Sequence, residues 1–187
     1  MSSAVILPRL RRTLCRFTGD RRGLSAVEFA TVLPFMVALY TGSVELGEGL
    51  SIQYKSTLAA RTVADIASQY TSIDAATMTS ILGAASTVVT PYSAANLTVI
   101  VSEVTTDANG NGTITWSAAQ NGKAHQVGQA VSLPAALRIP SIALLWGEVT
   151  YPYTPNIGYV ITGTISIYES SYFYPRLSTC VSFGGAC

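Results

Sequence analysis

Arg21-Arg22-Gly23-Leu24-Ser25-Ala26-Val27-Glu28-Phe29 decides how the rest of this 187-residue chain is read. A basic pair and a glycine come first, a lone carboxylate follows five residues after the glycine, and then the chain turns apolar. From Leu24 to Val44, 21 residues, Glu28 is the only charge. That length suffices for a helix to cross a bilayer. A carboxylate inside such a span is costly unless it is paired. The stretch therefore predicts a membrane helix that assembles with identical or related helices.

Small residues recur at every fourth position: Ala26, Ala30, Pro34, Ala38 and Gly42. They form one stripe of a helix, and such stripes let helices approach closely in lipid. Pro34 removes a backbone donor and is expected to kink or locally melt the helix. A cleaved secretory signal fits poorly, because the apolar run is too long and no Ala-x-Ala site follows it. Beyond the span, Leu46, Leu50, Tyr54, Leu58, Arg61, Ala64 and Ile66 keep an apolar stripe with helical spacing. A single helix from Leu24 to about Tyr70 would be roughly 70 Å long. Its first half is expected in lipid and its second half on a soluble domain.

Charge sets the orientation. Arg9, Arg11, Arg12, Arg16, Arg21 and Arg22 face only Asp20 before Gly23, a net +5, whereas the remainder holds five basic and nine acidic residues, a net −4. Positive flanks stay cytoplasmic. The N-terminus is therefore expected inside and residues beyond about Gly47 outside. A basic run can also meet nucleic acid, but these arginines abut a span, which accounts for them without such a partner. Overall, 49% of residues are hydrophobic and 11% charged, as suits a membrane-associated protein. Cys15 lies on the reducing side. Cys180 and Cys187 lie on the predicted oxidising side and bracket a short segment with two glycines, so a disulfide between them is expected; free thiols in a frayed tail are the alternative.

Gly23, four residues, then Glu28-Phe29 resembles the processing site of type IV pilin-like proteins. The longer run Arg21 to Phe35 is most similar to the TadE/TadG-like family of the Tad (tight adherence, Flp-type) pilus system, and Val149-Thr150-Tyr151-Pro152-Tyr153-Thr154-Pro155 resembles a segment found late in such proteins. TadG-like members usually carry a large extra domain, for which this length leaves no room, so a TadE-like minor pseudopilin is the closer match. The resemblance implies cutting between Gly23 and Leu24 by a prepilin peptidase on the cytoplasmic face. It implies that Glu28, beside Phe29, pairs with the new N-terminal amine of a neighbouring subunit and sets its register. The implied partners are that peptidase, the major Flp-type pilin, other minor pseudopilins, the inner-membrane assembly platform and the lipid bilayer. The implied location is the inner membrane, single-pass, with the C-terminal domain periplasmic or carried into the pilus. An uncleaved, membrane-anchored periplasmic scaffold or binding module is the alternative.

The expected organisation is a basic leader over residues 1–23, a transmembrane and extended helix over 24–70, and an α+β domain over 71–187. In that domain Ser72 or Asp74 is expected to cap a helix running to about Thr87, with Ile73, Thr77, Ile81 and Ala84 on its inner face. Leu97, Val99 and Val101 alternate as a strand to about Thr106, Asn109-Gly110-Asn111-Gly112 reads as a hairpin turn, and Ile114, Trp116 and Ala118 alternate on the return. Asn121-Gly122 marks another turn, and Leu133–Ser141 a loop with one helical turn. Val149, Tyr151 and Tyr153 read as a third strand, placed at an edge by Pro152, and Ile165 and Ile167 as a fourth. The fold expected is a long helix packed on an antiparallel sheet of about four strands.

Chemistry finds little purchase. Asp107-x-Asn109-x-Asn111-Gly112 looks like the start of a calcium loop, but the twelfth position is Ala118, so a hairpin explains it better. His125, the sole histidine, lies in a polar loop. No nucleophile elbow, phosphate loop, zinc ligand set or paired-carboxylate motif is present, so neither an enzyme nor a cofactor is expected. Tyr151, Tyr153, Tyr159, Tyr168, Tyr172 and Tyr174 either build a contact surface or simply serve as strand formers.

Overall fold

The computed structural model describes residues 22–155 and 163–187. The leader residues up to Arg21, with Cys15, and Tyr159 lie outside them. Helix α1 (Arg22–Ser68) is followed by β1 (Ser72–Ile73), α2 (Ala75–Val89), β2 (Thr98–Thr106), β3 (Gly112–Gln120) and β4 (Ala130–Val131). A 3₁₀ turn (Ala135–Leu137), β5 (Ala143–Tyr153), β6 (Ile165–Phe173) and β7 (Ser182–Phe183) complete the order. The chain divides into two compact units between Val44 and Glu45, inside α1.

Helix α1 is unbroken through Pro34. The expected local melting does not occur: one proline forfeits one intrahelical hydrogen bond, and the ladder continues on either side of it.

In the second unit, β4-β3-β2-β5-β6 form a five-stranded sheet with every neighbouring pair antiparallel, and β1 and β7 form a separate parallel pair. The sheet thus has one strand more than expected, a two-residue edge too short to leave an alternating pattern. The third expected strand begins at Ala143 and is not an edge, for β5 pairs with β2 through Thr150 and with β6 through Tyr153. Pro152 lies past the end of the β2 ladder, where a missing N–H costs no bond on that side.

The distal half of α1 packs on the sheet through small side chains. Ala59, Ala60, Val63 and Ala67 are fully buried in one core with Val99, Val101, Trp116, Leu145 and Val149, and Ala64 is buried beside Gly147. Gly147 of β5 makes this approach possible: a Cβ there would collide with the Ala60 carbonyl oxygen and press on Ala64 and Val63 at 3.0 and 3.1 Å. The expected stripe Leu46, Leu50, Tyr54 and Leu58 is therefore corrected. Those four side chains are exposed, along with Arg61, while Ala64 is buried and Ile66 half-buried. Large residues would hold helix and strand backbones apart, so the small-residue face wins the contact.

Helix α2 starts where Asp74 accepts the Thr77 N–H at 2.7 Å, an N-cap that holds the carboxyl below its ordinary range. Its buried face is Met78, Ile81, Leu82, Ala85 and Val89, which corrects the face expected through Thr77 and Ala84; Ile73 belongs to β1. From α1, the Lys55 ammonium donates to the Thr90 and Val88 carbonyls at 2.6 and 3.3 Å, a cation on the C-terminal end of α2. A long apolar N-terminal helix whose distal half packs on an antiparallel sheet is a pilin-like architecture.

Candidate functional site

In the first unit, residues 23–37 of α1 are exposed at every position, Ala38, Thr41 and Gly42 partly so. Leu24, Val27, Phe29, Val32, Leu33, Phe35, Met36, Leu39 and Tyr40 all point outward, and the helix is long and apolar enough to cross a membrane. Three of its hydroxyls are turned inward onto the helix. Thr31 donates to the Val27 and Glu28 carbonyls at 3.1 and 2.7 Å, Thr41 to Val37 and Ala38, and Ser43 to Tyr40. Such back-bonding satisfies these three hydroxyls without water, as a hydrocarbon environment requires. Glu28 has no such option, since a carboxylate has no proton to give. It stands exposed in the second turn of the helix, next to exposed Phe29. Gly23 and Leu24 lie in the first turn, also exposed, with nothing near the position of a Gly23 Cβ. Ala26, Ala30 and Pro34 of the small-residue stripe are exposed, Ala38 and Gly42 half-exposed.

At the start of the second unit, Glu45 is buried and Tyr153 donates its hydroxyl to the Glu45 carbonyl at 3.1 Å. Beside it an apolar groove of about 190 Å³ is lined by Leu46, Gly49, Leu50, Tyr153, Ile165 and Ile167. The tyrosines divide between the two faces of the sheet. Tyr153 is buried and Tyr151 packs on the main core, while Tyr168 and Tyr174 remain exposed.

Two clusters had no sequence signal. On the sheet face opposite α1, the buried Glu148 carboxylate takes the Tyr168 hydroxyl at 2.7 Å and lies 2.6 Å from His125 Nε2. The His125 ring stacks on Trp146 at 5.0 Å, which stacks on Tyr172 at 5.6 Å. Burial and the Glu148 carboxylate push the Tyr168 hydroxyl well up. His125 thus pins its loop to the sheet instead of lying in solvent. On the inner face, Glu103 is fully buried; burial raises its carboxyl, opposed by the Val181 N–H it accepts at 2.6 Å. Cys180 and Cys187 are joined by a disulfide.

The Asp107 segment is a hairpin. Its Oδ1 accepts the Asn109 and Asn111 N–H groups at 2.8 and 2.9 Å, and its Oδ2 the Asn111 side-chain amide, which with the backbone donors holds the carboxyl low. Those oxygens are engaged in the turn. No protein family, curated protein or solved structure matches the chain.

Proposed function

We propose that the chain is a TadE-like minor pseudopilin of a Tad/Flp-type pilus machine, an assembly protein and not an enzyme. The observation that carries this is an exposed apolar helix with one carboxylate, Glu28, five residues after Gly23, running on into a pilin-like fold. In this reading a prepilin peptidase cuts between Gly23 and Leu24 at the cytoplasmic face of the inner membrane. The new Leu24 amine and a neighbour's Glu28 then pair. Each charge alone in lipid is costly and far less so when paired, so the pair selects one axial register.

The exposed Leu46, Leu50, Tyr54 and Leu58 support the same reading, because they carry the apolar surface of α1 beyond the span, where adjacent helices of the major pilin or other minor subunits would meet it. The groove beside Glu45 offers such a helix a place to seat. The rival, an uncleaved anchor for a periplasmic scaffold, has the Gly23–Leu24 bond on its side: it lies within a helical turn, and a peptidase needs the chain extended.

The deciding experiment is mass spectrometry of the mature N-terminus from membranes that contain the cognate peptidase. A chain beginning at Leu24 is expected. A chain that retains Arg21-Arg22-Gly23 in those membranes overturns the pseudopilin reading in favour of the anchor.

A further inference from the structure

The inner face of the sheet holds a polar slot that the assembly role does not use. Val181, fully buried, is gripped from both sides through its backbone: its N–H is accepted by Glu103 Oε1 at 2.6 Å and its carbonyl receives Trp116 Nε1–H at 2.6 Å. The next residue, Ser182, donates its N–H to the Thr71 carbonyl at 3.1 Å, and Ser182-Phe183 lies parallel to Ser72-Ile73. The Phe183 ring packs on Trp116 at 5.4 Å. These contacts read a backbone, one apolar side chain and, two residues later, an aromatic. That is how an extended peptide is recognised by strand addition.

Without this segment, the buried Glu103 carboxyl would lose the Val181 N–H and the Trp116 indole N–H would lose the Val181 carbonyl, which is costly. With it, the fit is still incomplete, since Glu103 Oε2 is buried and unpartnered among the described residues. The segment itself forms a ring. The Cys180–Cys187 disulfide closes eight residues around Gly184 and Gly185, both at positive φ, with Cys187 exposed and Cys180 half-buried.

We propose that this is a peptide-binding slot, filled in cis by Val181-Ser182-Phe183 while the ring is closed, and filled by the same segment of a second copy once the ring is opened by a dithiol reductant. One thiolate of the dithiol attacks the exposed Cys187 sulfur, the S–S bond breaks, and Cys180 leaves as a thiolate that takes a proton. The second thiol of the reductant then attacks the mixed disulfide and releases Cys187 as a thiol. Two electrons pass to the protein and the dithiol becomes a disulfide. Opening the ring restores the freedom of the released tail, an effect of about 50-fold on tail release for a loop of this length. The occupant is a second copy because the slot is shaped to this segment, and exchange of identical segments requires no new contact.

The test uses the full chain in detergent micelles. With the natural chain, chymotryptic cleavage after Phe183, followed by mass spectrometry, is expected to be slow when oxidised and about 50-fold faster with a dithiol. An unchanged rate, or equal acceleration at every other site, overturns the latch. For exchange, Ser72→Cys and Ser182→Cys are placed on separate chains that also carry Cys15→Ser, with Cys180 and Cys187 either kept as the disulfide or replaced by Ser. An interchain 72–182 crosslink is expected only in the ring-free mixture, and Val181→Asp on the tail donor is expected to abolish it. Tail release without that crosslink, or a crosslink that survives Val181→Asp, overturns occupancy by a second copy.

Discussion

The two halves of α1 are both rich in apolar residues and use them in opposite ways. From Leu24 to Val44 the large side chains face outward. From Glu45 to Ser68 the alanines are buried on the sheet while Leu46, Leu50, Tyr54 and Leu58 face outward, Leu50 58% and Tyr54 71% exposed. What separates the outward-facing half from the sheet-packed half is thus the size of residues on the contact face, not the hydrophobicity of the segment. Close backbone approach needs small residues, and surfaces awaiting lipid or other helices can carry large ones.

The largest expected effects fall on the proximal half and leave folding untouched. Gly23→Ala is expected to abolish maturation, read as retention of the leader by mass spectrometry. Glu28→Ala is expected to leave membrane insertion intact while surface pili disappear. Normal piliation with both substitutions would break the contrast, since the proximal half would then be an ordinary anchor.

The distal half should respond in stability. Gly147→Ala forces a methyl group into the Ala60 carbonyl and is expected to destabilise the second unit by about 3 kcal/mol, measured by denaturant unfolding in micelles. An unaltered midpoint would show that α1 does not need this close approach.

Glu103, on the same inner face, sharpens the picture through pH. Burial raises its folded pKa. Its contribution to stability is therefore complete below the ordinary carboxylate range and is lost as pH rises through that range toward the raised value. Glu103→Gln removes this titration, so the variant should gain stability relative to the natural chain as pH rises through and above the ordinary carboxylate range. Thermal unfolding of both chains across that range tests the sign, and a constant difference would contradict it.

The smallest expected change in stability is the most telling for the comparison. Leu50→Gln alters an exposed side chain and should shift unfolding by less than about 0.5 kcal/mol. In the proposed assembly it should nevertheless reduce pilus output. A large loss of stability would mean that Leu50 belongs to the core of the unit after all.

Several features were legible in the chain because they depend on neighbours in sequence. The span Leu24–Val44 needs only its own length and composition. The hairpin at Asn109-Gly110 follows from local turn chemistry, which Asp107 completes within four residues. Asp74 caps α2 from three residues away. Where two apolar faces competed on one helix, as in the distal half of α1, periodicity alone selected the larger side chains, and the sheet selected the smaller.

By itself, then, the sequence determined a membrane-length helix with one carboxylate, a strongly basic segment ahead of it, and an α+β domain after it. Tertiary structure decided which face of α1 is buried, that Pro152 is tolerated in an inner strand, and that His125 meets Glu148 across 23 residues and Glu103 meets Val181 across 78. The physical reason is range. Helix, turn and cap energies are set within a few residues, whereas buried polar partners and backbone approach depend on which distant segments the folded core brings into contact.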